Sequence, residues 1–228
     1  MTMIKQFTHT LLFAALMIST AAFADQPILD RYFDETLPSY QFKTLQTNQR
    51  YTDLDFIPTN LSSLNDAQKL LDRLKYRKNA HAECYQRAHL WALQMRQMAQ
   101  IRSQKVFLFF SDRYRRNTGF DWWFHVAPFV LVNGKEMVLD PYFFKSPVDL
   151  KTWSDHFLKD HKECVSVSKF SEYEARTKEE DCFFRKVPQF YYQPLDVESR
   201  DAGGAPINEW IDEQVISSYE SLLPWWKR

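Results

Sequence analysis

The apolar positions along the chain follow two rhythms. Ala88, Ala92, Met95 and Ala99 recur at a spacing near 3.6, the last three inside a run from Leu90 to Ala99 made mostly of strong helix formers. That spacing predicts an amphipathic helix. Cys84 stands at the N-terminal end of its apolar face, in the segment His81 to His89. Ala67, Leu70, Leu71 and Leu74 predict an earlier helix with Asn65 as its N-cap. Leu150, Trp153, Phe157 and Leu158 predict another across 148–161, and Trp210, Ile211, Val215, Tyr219 and Leu222 a last one across 207–223. The second rhythm belongs to strands. β-branched and aromatic content predicts them over Lys105 to Phe110, Phe124 to Val132 and Phe183 to Tyr192. Asn133-Gly134 is a two-residue hairpin signal, so Lys135 to Asp140 is expected to pair back on the strand before it. Ser111 to Gly119 reads as a polar loop, with Arg113-Tyr114-Arg115-Arg116 as a solvated basic cluster.

Ahead of these elements, Met1 to Ala24 carries Lys5, an apolar run from Leu11 to Ala22, and Ala22-Phe23-Ala24, the features of a cleavable secretory signal. The expected organisation is a signal peptide at 1–24, an irregular N-terminal segment at 25–64, a catalytic domain at 65–200, and a linker with a C-terminal helix at 201–228. Such a chain is secreted or periplasmic. Removing 24 of 228 residues leaves 204, enough for one domain with a sizeable core. Basic and acidic residues balance at 29 each, and loss of Lys5 makes the formal charge −1. That leaves no electrostatic footprint for nucleic acid or for a membrane surface after signal cleavage. An aromatic content of 16% with four glycines suits a densely packed domain, expected to be a monomer, and excludes a disordered chain.

Three cysteines follow the leader: Cys84, Cys164 and Cys182. In an oxidising compartment an odd count leaves one thiol unpaired. A Cys164–Cys182 disulfide would staple the polar stretch between them and leave Cys84 free. None of the three falls into C-x-x-C spacing, so zinc is not implied.

A free cysteine at a helix start is placed for chemistry. The unpaired N–H groups and the positive end of the macrodipole favour an anion, so the thiol is expected to be pushed towards thiolate. The same N–H groups suit an oxyanion. The hairpin supplies a partner. With a two-residue loop, Val132 faces Lys135 and Ala127 faces Asp140. His125 then shares a face with Asp140 as its diagonal neighbour, roughly 7 Å or less between Cβ atoms. Pro128 within that strand requires an edge position or a bulge. His81, His89, His156 and His161 are expected to be structural or solvated.

These motifs, Cys84-Tyr-Gln-Arg-Ala-His89, Trp122-Trp-Phe-His-Val-Ala-Pro128 and Val138-Leu-Asp-Pro141, resemble the secreted bacterial protein-glutaminase family. Leu70-Leu-Asp-Arg-Leu-Lys75 and Phe190-Tyr-Tyr-Gln-Pro194 extend the resemblance over roughly Leu70 to Tyr192. Trp123 departs from it, standing where the family usually has a small residue. The resemblance implies an α+β, transglutaminase/papain-like fold, with a cysteine-bearing helix packed on an antiparallel sheet carrying His and Asp. It implies Cys84 as nucleophile, His125 as base and Asp140 as its orienter. Tyr85, Trp122 and Trp123 are expected to flank the cleft and bind substrate. The activity implied is hydrolysis of protein-bound glutamine amides to glutamate and ammonia, acting on proteins or peptides with accessible Gln and needing no cofactor or metal. A transglutaminase or a cysteine peptidase would use the same three residues. An exported, non-catalytic binding protein is the alternative from another class.

Overall fold

The computed structural model of the chain describes residues 57–74, 82–158, 163–189 and 191–201. The expectations for the leader, for most of the N-terminal segment, for the helix at 207–223, and for His81 and His161 lie outside these residues. In chain order the elements are β1 (Asn60–Leu61), α1 (Leu64–Arg73), α2 (Cys84–Ala99), β2 (Gln104–Phe110), α3 (Asp112–Thr118), β3 (Phe124–Val132), β4 (Lys135–Val138), α4 (Leu150–Asp155), β5 (Val165–Ser166), α5 (Phe170–Arg176), β6 (Cys182–Pro188) and α6 (Pro194–Asp201). The architecture is α+β. One sheet runs β1-β3-β2-β6-β5, with β4 paired to β3. The long pairs β2–β3, β2–β6 and β3–β4 are antiparallel, as expected; the two-residue strands β1 and β5 pair in parallel at the margins.

β2 is covered on both faces, which is why it reads as a continuous apolar run. Phe107 and Phe109 pack with Ala88, Val126, Tyr191 and Val197 on one side. Val106, Leu108 and Phe110 pack with Ala127, Phe129, Trp153 and Phe157 on the other. A third cluster joins Leu70, Leu71 and Leu74 of α1 to Trp91 and Met95 of α2 and to Val130 and Leu139. α2 is therefore not amphipathic: every residue from Arg87 to Met95 is buried. The sheet takes one side of it, and α1 with the segment around Tyr191 takes the rest.

The hairpin forms in the expected register. Asn133 and Gly134 both adopt positive φ, 50° and 79°, the two-residue turn that matches strand twist. Val132 faces Lys135 and Phe129 faces Val138. Beyond the end of β4, the Leu139 N–H still donates to the Pro128 carbonyl at 2.9 Å, so the register reaches Asp140 without a bulge. Pro128 is tolerated because its missing N–H falls on the β4 side, at the point where that ladder stops.

Other expectations are corrected. The N-cap of α1 is Ser63, not Asn65; its Oγ accepts from the Asp66 N–H at 3.1 Å, which starts the helix two residues earlier. Within 111–119 the chain is a helix rather than a loop, capped by Ser111 and closed by Gly119 at φ 70°. Its basic cluster is only partly solvated, since Arg113 pairs with Asp181 at 2.8 Å. The helix expected over 148–161 spans only Leu150–Asp155. The strand expected to reach Tyr192 ends at Pro188, after which α6 begins at Pro194. The Cys164–Cys182 disulfide is present and ties the first residue of β6 to the approach to β5, while Cys84 is free.

Candidate active site

Cys84 is the first residue of α2. The helix is started by a capping box in which the Gln86 side chain accepts from the Glu83 N–H at 2.8 Å. The sulfur sits against β3, where the Val126 backbone N–H donates to it. Burial pushes the thiol up to about 12. The Arg87 guanidinium and the Val126 N–H oppose that rise, whereas the charges of Asp140 and Glu83 add to it. The expected drift towards thiolate is thus not what the resting site produces. Desolvation outweighs the helix N-terminus, and the sulfur is a thiol at neutral pH.

His125 precedes Val126 on β3 and is buried. Its Nε2 lies 2.8 Å from Asp140 Oδ2, and the Trp153 indole N–H donates to the same oxygen at 3.0 Å. A carboxylate only accepts, so it holds the imidazole proton on Nε2 and leaves Nδ1 with its lone pair. That Nδ1 has no hydrogen-bond partner, and neither has Asp140 Oδ1. The imidazole is enclosed by rings, with Phe157 at 4.5 Å, Phe143 at 5.3 Å, Trp153 at 5.5 Å and Trp122 at 5.8 Å between centroids. Cys84 and His125 are therefore on adjacent backbone but not hydrogen-bonded to each other.

A cleft of about 340 Å3 opens over the sulfur. Cys84, Tyr85, Trp122 and Trp123 all line it, together with Arg87 and Tyr142. His125 and Asp140 do not line it; Trp122, stacked on the imidazole, also forms cleft wall. Among the described residues, Trp122 and Trp123 are two of the few large apolar side chains left exposed. Of the remaining histidines, His156 is exposed, whereas His89 is a core residue. The His89 Nδ1 is 2.7 Å from Lys105 Nζ, which also donates to the Tyr191 carbonyl at 2.5 Å. Burial, first of all, holds both His89 and Lys105 well below their ordinary values.

Two residues of the site went unassigned in the sequence. Trp153 read only as core, although a buried indole N–H needs an acceptor. Arg87 lies within the cysteine motif, three residues on and so on the same helix face.

Residues 58–157, which include Cys84, His125 and Asp140, match the family model described as glutaminase. Over that stretch the chain is similar to the glutaminase family. The matched stretch also contains the β3–β4 hairpin and Trp153. Among solved structures, the chain is similar to a protein-glutaminase, at 14% identity over 73% of this chain and 91% of that one, TM-score 0.46. It is similar to a pro-protein-glutaminase at 15% identity over 69% and 59%, TM-score 0.41. The protein-glutaminase from Chryseobacterium proteolyticum matches at 16% identity over 61% and 80%, TM-score 0.40. The chain spans 59% of the length of the pro-protein-glutaminase it matches. No curated protein matches it.

Proposed function

We propose that the protein is an exported protein-glutamine glutaminase, which hydrolyses the side-chain amide of protein-bound Gln to Glu and ammonia through a Cys84 thioester. The observation that carries this reading is the buried Asp140–His125 pair, with its unpartnered Nδ1, on the strand whose next N–H meets the Cys84 sulfur. A nucleophile, a base with a fixed tautomer and an orienting carboxylate are what acyl transfer from an amide requires. The match of residues 58–157 to the glutaminase family model supports the choice of amide.

The thiol proton passes to His125 Nδ1 as the sulfur attacks the amide carbon. The raised thiol favours this coupled transfer over a standing thiolate. Such contacts tighten when substrate fills the site. The oxyanion faces the N–H of Cys84, one of the first-turn donors that a helix leaves unpaired. The imidazolium then protonates the departing nitrogen, and ammonia leaves. Water, deprotonated by Nδ1, attacks the thioester; collapse releases glutamate and returns the proton to sulfur.

Tyr85, Trp122 and Trp123 serve as the walls that receive the unbranched Gln side chain end-on. Free glutamine brings two uncompensated charges into this aromatic cleft and is a poor substrate. Asparagine, one methylene shorter, leaves its carbon short of the sulfur, where reaction needs approach within roughly 3.5 Å. Export is supported by the leader pattern and by the disulfide. Incubating the chain with casein and mapping the peptides by mass spectrometry tests the reading. Gln-to-Glu conversion with ammonia release is expected. Backbone cleavage or Gln–Lys cross-links would show a different acyl outcome.

A further inference from the structure

Arg87 is buried, with 6% of its surface exposed, yet it lines the cleft beside Cys84. Among the described residues no carboxylate lies within ion-pair distance of it. Its Nη1 donates to the Ala82 carbonyl, and its guanidinium lies 4.1 Å from the centroid of the Tyr142 ring. Its Nε has no hydrogen-bond partner. A buried guanidinium held by one carbonyl and one ring face, without an anion, is an unfavourable arrangement unless negative charge arises beside it. Cys84 is one helical turn away, on the same cleft wall.

We infer that Arg87 is a positioning residue of the reaction: its guanidinium, seated by Ala82 and Tyr142, is the fixed positive charge that the Cys84 sulfur meets as it gives up its proton. The inference rests on Cys84 being the nucleophile, and not on which amide is attacked. The charges around the sulfur make the role necessary. Glu83 at the head of α2 and Asp140 both oppose ionisation, and Asp121 joins Glu83 as a second carboxylate lining the cleft. His125 takes the proton and becomes cationic only as the sulfur becomes anionic. Arg87 neither gives nor takes a proton; it offsets the carboxylates throughout the step. Its charge acts on the Cys84 sulfur, its neighbour on the helix face.

The test is the alkylation rate of Cys84 in the folded full chain with neutral iodoacetamide, from about pH 7 to about pH 9, for the parent, Arg87→Lys and Arg87→Gln. Loss of the charge should slow alkylation about tenfold at each pH, the equivalent of one pKa unit. Arg87→Lys keeps the charge and should stay within about threefold. A purely structural role would loosen the cleft and speed alkylation in both variants. Equal rates in all three proteins, or a gain in Arg87→Gln, overturns the inference. A second measurement needs no variant: the rate with anionic iodoacetate relative to iodoacetamide, each normalised to glutathione. A fixed cation should raise that ratio about threefold; a ratio at or below one overturns the inference. Absence of casein deamidation with this alkylation pattern intact would sink the glutaminase reading and leave Arg87 in its role. Deamidation with the pattern absent would do the reverse.

Discussion

Asp140→Asn separates what the carboxylate does by charge from what it does by geometry. Asp140 Oδ2 accepts two N–H donors, from His125 at 2.8 Å and Trp153 at 3.0 Å, while Oδ1 is buried without a partner. An asparagine must therefore put its oxygen at the Oδ2 position, because its NH2 group there would face the indole N–H. The imidazole tautomer is kept and the charge is lost. At an effective dielectric of about 20, two unit charges about 4 Å apart interact by about 4 kcal/mol. Destabilising the imidazolium by about two-thirds of that or more should lower kcat by about 10^2 to 10^3, short of the roughly 10^4 that follows a wrong tautomer. The displaced NH2 group, buried without an acceptor, should cost about 1–3 kcal/mol of stability. Adding Trp153→Phe removes the indole N–H that fixes the amide, so the double variant should fall to the wrong-tautomer level. Single-turnover kinetics on a glutamine peptide, with thermal melts alongside, measures both effects. Activity within about threefold of the parent in Asp140→Asn, or equal activity in the single and double variants, would refute the reasoning.

Cys84→Ala should abolish ammonia release while changing stability by no more than roughly 1 kcal/mol; a large fall in melting temperature with activity retained would remove the nucleophile assignment. The Cys84 thiol also contributes a pH dependence. Its folded pKa of about 12 lies above the unfolded value near 9, so the unfolded chain loses the proton first. The stabilisation is complete below about pH 9 and is lost as pH climbs towards about 12. Cys84→Ala should therefore melt with a shallower decline than the parent above about pH 9, as seen by circular dichroism. Cleaving the Cys164–Cys182 bridge by double substitution to serine should cost about 3 kcal/mol in denaturant titrations, and non-reducing peptide maps of the parent should find Cys84 outside any stable bridge.

The hairpin and its His–Asp pair were legible because Asn133-Gly134 fixes the loop length and nothing between the turn and Ala127 adds a residue. Parity did the rest. α3 and α5 were not legible, since they are seven-residue helices with little apolar period; α3 is defined by Ser111 and Gly119 at its ends. β1 exists only because β3 offers it a parallel edge, a contact between residues 60 and 131 that no local window contains. The burial of α2 on every side depends on Leu70 and Tyr191, which are distant in sequence from each other. The thiol was misjudged for the same reason. Its helix position could be read from neighbouring residues, whereas its desolvation comes from β3 packing over it.

The late arrival of β6 has a kinetic consequence. β2, the central strand, pairs with β3 soon after it in the chain, but its other edge is filled only by residues 182–188. Until those residues are available, a run of Val106, Phe107, Leu108, Phe109 and Phe110 presents unpaired backbone along one side. Such an edge is a template for pairing between chains. Folding should therefore be slow relative to a helical domain of this size, with its aggregation hazard concentrated before β6 docks. The stretch matched by the glutaminase family model ends at residue 157, so a polypeptide trimmed to it would carry the cysteine, histidine and aspartate and still leave β2 permanently open-edged.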